Sequence, residues 1–201
     1  MRSVLTTLAA AVLLCATATA APAMTPTETV KTRVEAALQN LGQTPSRTPE
    51  SIEQRRAELR RAADSLFDFT EMGRRALGRH WADRTPAERE QFVKLFTDLI
   101  ARSYIGKIDQ YAGETIAYTA ERVAGDEASV QSRVVTAKGT QIPVEYRMHR
   151  INDGWSAYDV FVENVSLVGT YRSQFDRIIR SESFAALLQR LREKGQVAEA
   201  R

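Results

Sequence analysis

Cysteine is almost missing from this chain: one occurs in 201 residues. A disulfide scaffold needs cysteine pairs and a thiolate metal centre needs several ligands, so both are excluded. With only 10 Gly and 6 Pro, collagen-like and low-complexity architectures fall away too. Charge of a single sign is also lacking, because 28 Lys and Arg stand against 25 Asp and Glu for a net +3. The dense basic face of a nucleic-acid binder is therefore absent, and no nucleic-acid partner is expected. No uninterrupted apolar stretch approaches the ~20 residues of a membrane span. Neither a G-x-S-x-G elbow nor a glycine-rich phosphate loop occurs. What remains, 43% hydrophobic and 26% charged residues, is enough to bury a core and rules out disorder as the main state.

The amino terminus sets the expected compartment. Met1-Arg2-Ser3 is followed by an apolar run from Val4 to about Ala16, then by Ala18-Thr19-Ala20 and Ala21-Pro22-Ala23. A basic start, a short hydrophobic region and an A-x-A site are the layout of a cleaved Sec signal peptide, here residues 1–23. Cys15 is preceded by Leu14, whereas a lipoprotein signal places a small residue there, so lipidation is not expected. Cleavage after Ala20 or Ala23 removes one charged residue, Arg2, and leaves a cysteine-free chain of net charge +2. Residues 24–201 are expected to form a single domain exported to the periplasm.

Within that domain two periods appear in turn. Val30, Val34, Ala37, Leu38 and Leu41 mark a helix that Gly42 should end, and Ile52, Leu59 and Leu66 mark a second from Pro49 to Leu66. A short helix over 67–78 turns Phe69, Met72 and Leu77 inward and stops at Gly78. Thr85-Pro86-Ala87-Glu88 is a capping box with proline at the first helical position. It opens a helix carrying Phe92, Leu95, Phe96, Leu99 and Ile100, continuing through Tyr104 toward Gly113. The spacing then changes to strict alternation: Ile116 and Tyr118; Val130 and Val134; then Ile142, Val144, Tyr146 and Met148. Asn152-Asp153-Gly154 is a turn before a fourth strand, Trp155 to Val162. Two helices follow, marked by Leu167, Tyr171, Phe175, Ile178 and Ile179 and by Phe184, Leu187, Leu188 and Leu191, the last stopped by Gly195. Helices, then consecutive strands, then helices give an α+β fold.

Catalytic constellations are hard to assemble from these residues. His80 and His149, the only histidines, have no carboxylate or second histidine at helical ligand spacing, so structural roles are favoured over a metal centre. Asp159 and Glu163 share one strand face but lie ~13 Å apart along an extended chain, too far for a coupled acid–base pair. A structural partner such as an arginine or a backbone donor suits Asp159 better. Neither enzymatic activity nor a cofactor is expected. Arg55, Arg56, Arg60, Arg61, Arg74, Arg75 and Arg79 suit either anionic headgroups or an acidic protein, or simply a solvated helix face, and the intervening acids favour the last. Periodicity leaves one further question open: an apolar strand face packs as core or walls a cavity with the same pattern.

Several separated motifs carry a resemblance. Residues 72–81 (MGRRALGRHW) precede Thr85-Pro86-Ala87-Glu88-Arg89, then Phe92-Val93-Lys94-Leu95-Phe96 and Ser103-Tyr104. Ile142-Pro143-Val144-Glu145-Tyr146-Arg147, Gly154-Trp155 and Tyr158-Asp159-Val160 come later. Asn164-Val165-Ser166-Leu167 and Tyr171-Arg172-Ser173-Gln174-Phe175 complete the series. In this order they resemble the MlaC, or toluene-tolerance, family of periplasmic phospholipid-binding proteins, over about Thr27 to Lys194. Asn164 departs from the family, which usually places glycine there, so the turn after the last long strand is where a difference is expected.

The resemblance implies a strongly twisted antiparallel sheet of about four strands wrapped by helices, similar to the NTF2-like cone, with an apolar cavity. It implies phospholipid as the bound ligand. It implies as partners an outer-membrane lipoprotein–porin complex and an inner-membrane ABC transporter with an MCE subunit. Alternation combined with that fold assigns Ile116, Tyr118, Val130, Val134, Ile142, Val144, Tyr146, Met148, Val160 and Val162 to the cavity wall, with Phe96, Leu99, Ile100 and Tyr104 from the helices. Two alternatives stay open: another apolar ligand such as a hopanoid, and an NTF2-like enzyme, which needs Asp159 and His149 to converge inside the cavity.

Overall fold

The computed structural model describes residues 24–43, 48–108, 114–136 and 138–199. The proposed signal peptide and the segment leading to Gly113 lie outside them. Four helices come first: α1 (Pro26–Gln43), α2 (Pro49–Leu66), α3 (Phe69–Leu77) and α4 (Pro86–Ile108), with a 3-10 turn at Gly78–Trp81. Then come β1 (Thr115–Ala124), β2 (Glu127–Val135), β3 (Gln141–Ile151), β4 (Gly154–Val162) and β5 (Val165–Ser166). α5 (Leu167–Ser181) and α6 (Phe184–Glu199) close the chain. The strands form one antiparallel meander in the order β1-β2-β3-β4-β5.

Helix starts follow the sequence chemistry. At α4, Thr85 Oγ1 accepts from the Glu88 amide at 3.2 Å while the Glu88 carboxylate accepts from the Thr85 amide at 2.8 Å. Thr48 and Ser51 make the equivalent reciprocal pair at α2, ahead of Pro49. Gly78 ends α3 with φ +54, a left-handed conformation that favours glycine.

Three expectations are corrected. α1 runs through Gly42 to Gln43, and α6 runs through Gly195 to Glu199. One glycine costs a helix interior only ~1 kcal/mol, too little to stop a helix anchored as α6 is by Leu187, Leu188 and Leu191. The sheet has a short fifth strand, because Glu163 and Asn164 adopt φ +51 and +65 and fold Val165 back onto Val162. Two left-handed residues make the tight hairpin whose twist suits antiparallel strands, and asparagine tolerates that region nearly as glycine does.

Two apolar clusters result. One joins α3, α4, α5 and α6 through Met72, Leu77, Phe92, Phe96, Phe175, Phe184 and Leu187. The other joins α1 and the last turn of α2 to the inner sheet face through Val30, Leu66, Val130, Tyr146, Met148, Trp155 and Ala157. A bulge puts Tyr158 between Ala157, opposite Met148, and Asp159, opposite Arg147. That extra residue sends Tyr158 into the helical cluster while Ala157 stays in the sheet cluster, so β4 is buried on both faces.

Candidate functional site: an apolar cavity between sheet and helices

Between the two clusters lies a cavity of about 590 Å³. Its helical walls are Val34, Ala37 and Leu38 from α1, Leu59, Ala62, Ala63 and Leu66 from α2, and Thr97, Ile100, Ala101 and Tyr104 from α4. Phe67, Phe69 and Met72 close it where α2 passes into α3. Small residues explain the space: three alanines of α1 and α2 face it, and Ala101 of α4 offers no larger group to fill it. At its edge Val162 is 42% exposed, so the cavity meets solvent where β4 ends.

The sequence-assigned residues divide by their position along each element. Ile116, Val134, Ile142, Tyr146, Val160 and Val162 form the sheet wall, and Ile100 and Tyr104 stand on the α4 wall. Phe96 and Leu99 lie instead in the helical cluster, against which Ile100 also packs. Val130 and Met148 lie in the filled part of the sheet cluster, and Tyr118 and Val144 pack against it half-buried. Alternation finds the inner face of a whole strand; it carries no information on which stretch of that face meets a void. The α1 and α2 walls escaped the sequence reading, although the alanines within their apolar faces were the available signal.

Charges stand only at the edges. Arg33 donates to the Ser65 carbonyl and to the Trp155 carbonyl at 3.3 Å, tying α1 to the last turn of α2 and the start of β4. Burial lowers its basicity. Arg60 of α2 pairs with Asp98 of α4. Asp64, Glu114 and Thr136 complete the polar lining. The phenols are held neutral: burial pushes Tyr146 up to about 12, against a hydrogen bond to Ser132 that pulls the other way. Tyr118 and Tyr104 also titrate above the ordinary value, chiefly from burial. Electrostatically, then, the interior suits hydrocarbon.

Groups with catalytic potential lie elsewhere. Asp159 accepts from the amides of Val160 at 2.8 Å and Val168 at 3.0 Å and from the Ser166 hydroxyl at 2.5 Å, fastening the start of α5 to β4. His149 sits 3.1 Å from Asp68, and His80 sits 2.8 Å from Asp176. These carboxylates are distant in sequence, which is why spacing could not reveal them. Neither His149 nor Asp159 lines the cavity. Among the described residues there is no cluster of three potential metal ligands, and no helix is long and apolar enough to cross a membrane.

Fold and site together define an α+β protein with an apolar binding cavity, within the ~300–1,000 Å³ usual for ligand sites. The family model described as "MlaC protein" matches residues 31–193, and the chain belongs to the MlaC family. It is 22% identical over 126 residues to the intermembrane phospholipid transport system binding protein MlaC of Haemophilus influenzae. That match covers 60% of this chain and 59% of the Haemophilus protein, so the chain spans about three-fifths of that relative. Its structure resembles the phospholipid-binding protein from Ralstonia solanacearum, solved in complex with a phospholipid, with a TM-score of 0.73 and 27% identity. The likeness covers 85% of this chain and 97% of the Ralstonia chain.

Proposed function

We propose that this chain is a periplasmic phospholipid carrier, exported through cleavage of residues 1–23, that encloses acyl chains in the cavity between its sheet and helices. The observation that carries this reading is the 590 Å³ apolar cavity with its charges confined to the edges. The likeness to a protein solved with a phospholipid supports it. Each acyl CH₂ left in water costs about 0.8 kcal/mol, so two long chains cost more than ~20 kcal/mol and a free lipid does not cross an aqueous gap at a useful rate. A carrier removes most of that barrier by replacing water with Ile116, Val134, Ile142 and their neighbours, and it leaves the headgroup in solvent at the open edge. Release then requires a partner that binds the emptied state better than the loaded one. The partners proposed are an outer-membrane lipoprotein–porin complex and an inner-membrane ABC transporter with an MCE subunit. No catalytic step and no cofactor enter this reading.

Native mass spectrometry of the protein purified from bacteria without added lipid tests it. An added mass equal to one or more glycerophospholipids is the expected result. A hopanoid mass would reassign the ligand. A bare polypeptide, with no lipid in a solvent extract, would overturn the reading.

A further inference from the structure

We propose that Tyr146 is a ruler for acyl-chain length, its ring forming the floor against which a chain end stops; this rests on the phospholipid reading above. The inner sheet face is organised in rows by its register. Val134 pairs with Ile142, then Ser132 with Val144 and Val144 with Val162, then Val130 with Tyr146 and Tyr146 with Val160, and last Ala128 with Met148 and Met148 with Ala157. The first row walls the cavity, as do Val162 in the second and Tyr146 and Val160 in the third, while none of the fourth does. Met148 and Ala157 are both 0% exposed in the filled cluster. The void therefore ends at Tyr146 and Val160, and the same level on α1 separates Val34, which lines it, from fully buried Val30.

The direction of the Tyr146 ring follows from its partner. Its hydroxyl lies within interaction range of the Ser132 side chain, and Ser132 pairs with Val144 one row nearer the open edge. The ring thus leans over that row, which accounts for Val144 missing the cavity wall although it lies on the same strand face as Ile142. Removing the ring uncovers Val144 and Val130 and lets a chain end run past the Val144 row as far as the Val130 row, ~6.6 Å for two strand residues. Adding bulk at Val160 raises the floor instead.

The experiment offers the lipid-stripped protein an equimolar mixture of phosphatidylethanolamines with myristoyl, palmitoyl, stearoyl or arachidoyl chains and reads the bound species by native mass spectrometry. Tyr146→Leu should move the preferred length up by about four carbons, two steps of the series and within the ~6.6 Å of one row. Val160→Phe should move it down. Circular dichroism and thermal melts confirm that each variant is folded, and should Tyr146→Leu fail to fold, Val160→Phe alone carries the test. Folded variants that take the mixture in wild-type proportions would overturn the ruler. A wild-type protein that takes no lipid at all would instead remove the phospholipid reading, and the ruler with it.

Discussion

Helix α4 borders two halves of the molecule that its sequence builds differently. One face carries Phe92, Phe96 and Leu99 into the helical cluster, where Phe92 stacks on Phe96 at 5.7 Å and meets the Phe175 ring edge-on at 5.6 Å. The adjoining face carries Thr97, Ile100, Ala101 and Tyr104, and across the cavity from it stand Ala37, Ala62 and Ala63. Aromatic rings fill the first interface and alanines leave the second hollow. Burial in the filled half is intramolecular and stabilises the fold; on the proposed function, apolar surface in the hollow half gains its burial from a ligand. On that reading, folding and binding fall to two adjoining faces of one helix.

The sharpest way to break this comparison is to cut each half in turn. Phe92→Ala should cost about 3–5 kcal/mol, since the residue is 0% exposed and surrounded by rings that collapse poorly onto a void. Val134→Ala, on the cavity wall, should cost the lipid-free protein less than about 1 kcal/mol because few packed neighbours are lost. Urea unfolding of both variants measures the difference. Equal costs would mean that the hollow half is as tightly packed as the filled one.

Next in size is the joint between the halves. Asp159 lies in the strand that both clusters share and receives three donors, two of them backbone amides. Asp159→Ala leaves these donors without their acceptor and should cost about 1–3 kcal/mol. Asp159→Asn keeps one acceptor oxygen and should recover part of it. Amide exchange at Val168 reports the effect locally, with faster exchange expected in the alanine variant.

The filled half was far more legible in the sequence than the hollow one. Capping residues at Thr85 and Glu88, the helical stripe of Phe92 and Phe96, and the alternation of Ile142 to Met148 are local signals, and each appears in the fold as read. The fifth strand was missed because it depends on two residues, Glu163 and Asn164, adopting a left-handed conformation that only one of their side chains favours. The cavity was half-legible for a different reason. A void is set by what several elements fail to supply at one level, and Val130 and Val134 look alike until Tyr146 and Val30 are placed beside them. His149 with Asp68 and His80 with Asp176 show the same limit for polar groups, since each pair is brought together only by the tertiary fold.

Filling the hollow half sharpens the comparison with a smaller effect on stability. Ala101→Phe places a ring into empty space, so the unfolding free energy should stay within about 1 kcal/mol of wild type or rise. Lipid recovered per protein should fall several-fold. Solvent extraction with phosphorus quantification and a urea titration on the same preparation check both halves of the expectation. A lower midpoint with lipid content intact would place Ala101 in packed core.

The smallest effect expected is a pH dependence confined to the exterior of the filled half. Glu71 is held below the usual carboxylate range chiefly by its hydrogen bond to Arg74, assisted by Arg75 and opposed by burial. A carboxyl depressed in the folded state contributes stability that is present above its ordinary value of 4.5 and is lost as pH falls through the folded value. Asp176, lowered chiefly by its hydrogen bond to His80, acts in the same direction. Glu71→Gln should therefore flatten the acid limb of a thermal-melt pH series and leave the neutral region nearly level. Lipid retention should not follow that limb while the protein stays folded, because Tyr104, Tyr118 and Tyr146 in and beside the cavity all titrate above the ordinary phenol value of 10 and remain uncharged across it. Loss of lipid at a pH where the melt is still unchanged would show that a charge inside the hollow half is titrating, and the separation between folding and binding faces would fail.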